Sequence, residues 1–193
     1  MKIIAVSQRV TTISDDLAIH DAIDQRWYLF LAKCGVSPFL IPNNKPQAVN
    51  LLNINIEGVL FTGGNDHETR NETEIFLLNY AINKKIPVIG VCHGMQMLQR
   101  FFGITLDPIK NHIKTKQKII TQSGSRTVNS YQTLGTTTSV DVLKVLATSG
   151  DGIIKAVQHN DLPLYGIMWH PERNNPFDQQ DIKFFQSVLG IEK

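Results

Sequence analysis

The sequence predicts an α/β fold: a doubly wound, mostly parallel sheet with helices on both faces and a small antiparallel extension. Three observations predict it. Short apolar, β-branched runs alternate with helix-period segments over residues 2–103, the pattern of βαβ units and a parallel sheet. Glycine-bearing turns stand at the carboxyl ends of two of those runs, at Gly63-Gly64 and around Cys92 between Gly90 and Gly94, where open α/β sheets bind their ligands. Past Gly103 the chain changes to short β-like runs among Lys, Thr, Ser and Asn, which read as hairpins added to the sheet.

Residues 2–7 read as the first strand, with Gln8 and Arg9 following at its carboxyl end. Leu17, Ile19, Ile23, Trp27, Phe30 and Leu31 recur at helical spacing, which predicts one helix over 15–34 closed by Gly35. A strand at 37–41 ends at Pro42 and the Asn43-Asn44 turn, and 46–53 suits a short helix. The apolar run 58–62 is a buried strand that opens into Gly63-Gly64-Asn65-Asp66. Paired glycines there permit close approach of a ligand to the backbone, and an ordinary β-to-α turn has the same look. A helix is expected over 68–84, with Arg70 and Glu74 pairing on its surface at the i, i+4 spacing. Residues 86–91 are the central strand, and Met95, Leu98, Phe101 and Phe102 then share one face of a helix that Gly103 ends. Further strands are expected at 118–122, 126–130 and 140–146, then at 153–159 and 164–169 around a hairpin at 160–163, before a final helix over 178–190.

The chain has 193 residues, 42% of them hydrophobic and 19% charged, which suits one domain spanning 1–193 with a sizeable core. A net charge of +2 does not mark a nucleic-acid binder. Cys34 and Cys92 lie in separate elements and in no metal-ligand spacing, so the expectation is a reduced, cytoplasmic protein with no metal and no cofactor. The opening MKIIAVSQRV reads as a strand rather than a signal peptide, and no apolar run is long enough to span a membrane. The basic run 110–118 reads as a solvated hairpin face with phosphate binding as the minority reading, and His112 as a surface or structural residue.

Strand, tight turn, helix, with Cys92 at the turn, is a geometry that presents a nucleophile. The flanking glycines permit the sharp bend, the helix N-terminus favours a negatively charged sulfur, and the free amides there can hold an oxyanion. A cysteine after a core strand also serves as a small buried hydrophobe. A base and an orienting group are the further requirements. His170 ends an apolar strand, Pro171 stiffens the backbone behind it, and Glu172 follows two residues on, the same side of an extended chain. A carboxylate there binds one imidazole nitrogen and leaves the other to face sulfur.

These residues carry a resemblance. GVCHGMQ (90–96) resembles the nucleophile motif of class I glutamine amidotransferases and gamma-glutamyl hydrolases, and MWHPE (168–172) resembles their His-Pro-Glu motif. FTGGND (61–66) and VNSY (128–131) resemble the oxyanion strand and substrate segment of the gamma-glutamyl-GABA hydrolase branch. The resemblance implies a flavodoxin-like sheet and a Cys92, His170, Glu172 triad. It further implies an oxyanion site at the His93 amide and Gly63-Gly64, and substrate contacts from Asn65, Gln96, Ser130 and Tyr131. The reaction implied is hydrolysis of a small-molecule γ-glutamyl amide through a thioester, by a monomer or homodimer with no nucleic-acid or membrane partner. Two positions depart from the pattern: His93 stands where the hydrolase branch often has Arg, and Gln132 where many relatives have His. The opening segments resemble a small subgroup associated with surface-polysaccharide pathways, which implies a γ-glutamyl amidate of cytidine diphosphate as substrate and makes Gln8, Arg9 and Arg26 candidates for its nucleotide end. The 193 residues hold no synthetase domain, so a fused amidotransferase is not expected. A glutaminase subunit serving a separate synthetase and a cysteine redox sensor are the competing readings.

Overall fold

In the computed structural model, which describes residues 1–13 and 18–191, the strand and helix patterns alternate as far as Phe101. The elements there are β1 (Lys2–Val6), β2 (Arg9–Thr12), β3 (Ile19–Ala22), α1 (Arg26–Cys34), β4 (Val36–Leu40), α2 (Lys45–Leu51), β5 (Val59–Phe61), α3 (Glu68–Lys84), β6 (Val88–Val91) and α4 (His93–Phe101). The polar second half gives β7 (Asp107–Pro108), β8 (Ile113–Thr121), β9 (Gly124–Tyr131), β10 (Leu134–Gly135), β11 (Leu143–Ser149), β12 (Ile154–His159) and β13 (Leu164–Ile167). A 3₁₀ turn at Pro171–Arg173 and α5 (Gln179–Val188) complete it.

Nine strands form one sheet in the order β4-β1-β5-β6-β13-β12-β11-β8-β9. The first four pairings are parallel and the remaining four antiparallel. The parallel half has the order of the flavodoxin-like doubly wound fold. The runs around 118–122 and 126–130 form the long β8–β9 hairpin of the antiparallel extension, and the basic residues of 113–118 lie within β8.

Side-chain alternation assigns the two faces. Ile4, Val6, Leu60, Ile89 and Val91 meet Trp27, Phe30 and Leu31 of α1 and Ile182 and Phe185 of α5. Phe30 stacks edge-on to Phe185 at 4.9 Å. Ala5, Val59, Phe61 and Val88 point the other way, onto Ala48 of α2, Leu77, Leu78 and Ala81 of α3, and Leu98 of α4. Helix ends follow from local chemistry. Gly35 adopts φ 80° after α1 and Asn44 caps α2 by accepting from the Gln47 amide.

One glycine fixes how closely α4 meets the sheet. A Cβ on Gly94 would lie 2.2 Å from the Phe61 carbonyl oxygen, which is backbone and cannot yield. Gly94→Ala is expected to cost about 1–3 kcal/mol, read as a lower urea midpoint. An unchanged midpoint would mean that α4 has room to shift.

The 15–34 helix is corrected. α1 begins at Arg26, and residues 19–22 are instead β3, paired antiparallel to β2 with Thr12 opposite Ile19 and Val10 opposite Asp21. Residues 15–17 of the expected helix lie outside the described residues. The hairpin is held by a polar anchor: Asp21 accepts from the Asn43 amide at 2.8 Å and from Asn43 Nδ2 at 2.6 Å. Ile19, which fitted the helical stripe, is exposed.

Candidate active site

Register brings the candidate residues to one level. Phe61 pairs with Gly90, and Ile167 with Val91, so β5, β6 and β13 leave the sheet side by side. Thr62-Gly63-Gly64, Cys92 and the approach to His170 therefore lie at adjacent strand ends.

Cys92 sits between β6 and α4 with φ 52° and ψ −103°. A non-glycine residue at positive φ is held there by its surroundings, and a strained strand-to-helix turn is the mechanics of a nucleophile elbow. Its amide donates to the Ile167 carbonyl at 2.8 Å and its carbonyl accepts from the Gln96 amide at 3.0 Å. The side chain is 7% exposed.

His170 is buried, and its Nδ1 lies 2.7 Å from Glu172 Oε1. Burial pulls its pKa down. Hydrogen bonds to Cys92 and Glu172, together with their charges, outweigh that and raise it to about 9. The imidazole is thus paired with the carboxylate through Nδ1, and the Cys92 thiol helps to keep it protonated. The route to this pairing differs from strand alternation, because β13 ends at Ile167 and Glu172 is carried by the 3₁₀ turn. A residue outside the expected set fixes the histidine backbone: Asn129 Oδ1 accepts from the His170 amide at 2.8 Å, and its Nδ2 donates to the His170 carbonyl at 2.8 Å and to Asn174 Oδ1 at 3.0 Å. The Tyr131 ring meets the His170 ring edge-on at 5.4 Å.

The glycine loop packs on both neighbours. A Cβ on Gly63 would fall 2.4 Å from His170 Cε1, and one on Gly64 2.2 Å from Arg70 Nη1. Behind the loop lies a buried polar network. Arg70 and Glu74 pair at 2.9 Å, with both side chains wholly inaccessible rather than on the helix surface as expected. The reason is what surrounds them: Arg70 Nη2 donates to the Thr62 carbonyl at 2.6 Å, and the Ser7 hydroxyl donates to Glu74 Oε1 at 2.7 Å. Ser7 Oγ in turn accepts from the Thr62 amide at 3.1 Å. His93 extends this network from α4, with Nε2 3.1 Å from Asp66 Oδ1. Burial, then the Arg70 charge, lower its pKa against the pull of Glu74 and Asp66. Arg70→Met leaves Glu74 buried without its cation and is expected to lose about 3–5 kcal/mol of stability, measured by urea denaturation. A loss below about 1 kcal/mol, on the scale of an exposed pair, would contradict the burial.

A cavity of about 380 Å³ opens beside His170, lined among others by Arg9, Trp27, Gly63, Gly64 and Arg173. The Arg173 guanidinium lies 4.4 Å over the Tyr131 ring. Of the other candidates, Gln96 is buried and donates to the Leu134 carbonyl at 3.1 Å. Asn65 is exposed, and its carbonyl accepts from Arg70 at 3.4 Å. Ser130 is buried. Gln8 turns away to donate to the Ile41 carbonyl at 3.0 Å. Arg26 pairs with Asp24 and does not line the cavity, whereas Asp24 does.

His112, given a surface or structural role, is buried and has partners remote in sequence: Asp151 Oδ2 at 2.8 Å and Lys155 Nζ at 2.8 Å. Lys155 is buried as well. Burial lowers its pKa to about 8 against the charges of Asp151 and Cys92. A lysine inside the apolar run 153–157 was the available signal for it. A larger groove of about 810 Å³, bordered by Lys110, Lys118 and Asp151, runs along the β8–β9 hairpin away from Cys92. Among the described residues no group of three or more His, Cys, Asp or Glu is placed to hold a metal, and no helix is long and apolar enough to cross a membrane.

Residues 19–187 match the family model described as glutamine amidotransferase class-I. A gamma-glutamyl-CDP-amidate hydrolase of Campylobacter jejuni is 30% identical over 129 residues, 62% of this chain and 64% of that protein, so the match spans less than two thirds of that relative. A glutamine-hydrolysing GMP synthase subunit from Methanococcus aeolicus is 26% identical over 79% of this chain and 84% of its own length. Among solved structures, a GMP synthase subunit-like protein from Thermoplasma acidophilum superimposes with a TM-score of 0.76 at 19% identity, covering 99% of this chain and 94% of that one. That likeness bears on the fold.

Proposed function

The chain belongs to the class I glutamine amidotransferase family, and from that premise we propose that it hydrolyses the γ-glutamyl amide bond of a glutamine derivative. The Cys92 thiolate attacks the γ-carbonyl carbon. The oxyanion is held by the His93 amide at the start of α4 and by an amide of the Gly63-Gly64 loop. His170, held as imidazolium by Glu172, gives its proton to the leaving nitrogen as the carbon–nitrogen bond breaks, and a γ-glutamyl thioester remains. Water then attacks the thioester with His170 as base, releasing glutamate and restoring the thiol. Ser130, Tyr131 and Gln96 hold the glutamyl end.

The single observation that supports this reading most is the buried His170–Glu172 contact of 2.7 Å, on an imidazole whose pKa is raised by the Cys92 thiol at its positive-φ turn as well as by the carboxylate. The proposed leaving amine bears an anionic group. Arg9 and Arg173 border the cavity beside His170, and guanidinium groups favour phosphate oxygens. The specific substrate we propose is N5-(cytidine 5′-diphosphoramidyl)-L-glutamine, with a place in capsule or surface-polysaccharide phosphoramidate synthesis. The test is a panel of γ-glutamyl amides, including γ-glutamyl nucleotide amidates, assayed for glutamate release. Faster turnover of the phosphate-bearing members supports the assignment, and fast turnover of glutamine with none of the amidates removes it.

A second reading, a glutaminase subunit that hands ammonia to a separate synthetase, is favoured by one observation: the match to the Methanococcus aeolicus protein spans 84% of that relative. The same three side chains serve both reactions. Glutamine turnover that appears only on adding a synthetase would select the second.

A further inference from the structure

Lys155 is a buried cation that the chemistry above does not use. Its side chain rises from β12, is 1% exposed, and makes three hydrogen bonds, one for each proton of an ammonium. It donates to His112 Nδ1 at 2.8 Å, to Gln132 Oε1 at 3.0 Å and to Ser130 Oγ at 3.4 Å. All three acceptors are neutral. Among the described residues, no carboxylate oxygen touches the ammonium. The carboxylate that answers it, Asp151, stands one residue away through His112 Nε2 at 2.8 Å, and its side chain is 54% exposed. A buried charge is costly unless an opposite charge lies close by, and here that charge is remote and wet.

The cation also has a direction. Two of its partners, Ser130 and Gln132, flank Tyr131, whose ring meets His170. Gln132 Nε2, at 3.4 Å, shares the Leu134 carbonyl with Gln96, four residues past Cys92. The ammonium therefore touches the segment to which the proposed reaction assigns the glutamyl end, through Ser130 Oγ. The longest of its bonds, to Ser130, is the one facing that segment.

We propose that Lys155 is the positioning residue that selects a carboxylate-bearing acyl group: its incompletely neutralised charge draws the substrate's α-carboxylate onto the Ser130–Tyr131 segment. This rests on the γ-glutamyl amidase reading. It adds that the acyl side is chosen by charge, independently of the leaving group.

The test compares wild type with Lys155→Met, Lys155→Arg and Gln132→Glu. Calorimetry measures the affinity for L-glutamate and for 4-aminobutanoate, the same chain without the α-carboxylate. Steady-state assays with γ-glutamyl p-nitroanilide give kcat and KM. Lys155→Met and Gln132→Glu are expected to weaken glutamate binding and raise KM by at least about tenfold, with 4-aminobutanoate affinity and kcat moving by less than about threefold. Gln132→Glu keeps the lysine and supplies an internal carboxylate for it, so it carries the test if Lys155→Met does not fold. Lys155→Arg keeps the charge and stays near wild type. Equal weakening of both ligands, or a fall in kcat at unchanged KM, is what a merely structural lysine would give and overturns the proposal. So does glutamate affinity unchanged in folded variants. Wild-type protein that binds glutamate but cleaves no γ-glutamyl amide would overturn the amidase reading while leaving the charge selection measurable.

Discussion

Cys92→Ser is expected to lower γ-glutamyl amide hydrolysis by at least about 10⁴-fold while leaving the urea midpoint nearly unchanged. The hydroxyl occupies the same position at the end of β6, so the amides and the imidazole remain where they were. It is a far weaker nucleophile with the same base beside it. The comparison variant is Cys34→Ser. Cys34 is the buried last residue of α1, and burial pushes its thiol up to about 12, so its replacement is expected to leave hydrolysis intact. Wild-type rates in Cys92→Ser would remove the thioester and with it the proposed reaction.

The second large effect belongs to Glu172→Gln, for which kcat is expected to fall by about 10²–10³-fold. The sign of its pH effect follows from the contacts. Against burial, hydrogen bonds from His170 to Cys92 and Glu172 hold the imidazolium to about 9. In wild type, activity that needs this proton persists to about pH 9 and falls above it. Gln at 172 keeps a hydrogen bond but removes the negative charge, so the proton leaves at lower pH and the alkaline limb moves toward neutrality. Profiles of kcat/KM against pH for the two proteins check this. A limb that stays in place, or moves upward, would detach Glu172 from His170.

Much of this site was legible in the sequence because its parts are local. Cys92 with its glycines, and His170 with Glu172, are short segments whose chemistry reads from neighbours. The sheet then needed only to bring two strand ends level, which apolar runs of matched length foretell. The errors have physical causes. The period that suggested a helix over 15–34 was satisfied by Ile19 and Ile23, yet Ile19, His20 and Asp21 are all exposed along β3, and Asp21 is recruited by Asn43. Spacing placed Arg70 beside Glu74 correctly, but spacing carries no information on depth. The pair is buried because Ser7 and the Thr62 carbonyl, just past the ends of β1 and β5, meet it. The partners of Lys155 were illegible for the same reason, though a lysine inside an apolar run hinted at the residue itself. Its partners His112 and Ser130 lie 43 and 25 residues away, and only the folded sheet makes them neighbours. Asn129, which clamps the His170 backbone from both sides, is 41 residues from it.

The central claim is that the sulfur at the end of β6 is the nucleophile. It is tested most directly by treating the folded protein with a glutamine-analogue electrophile, such as a diazoketone amino acid, and mapping the product by peptide mass spectrometry. One adduct per chain is expected, on Cys92 and not on Cys34, formed in wild type and lost in His170→Asn. An unmodified Cys92, or modification that appears equally on Cys34 only after unfolding, would contradict it.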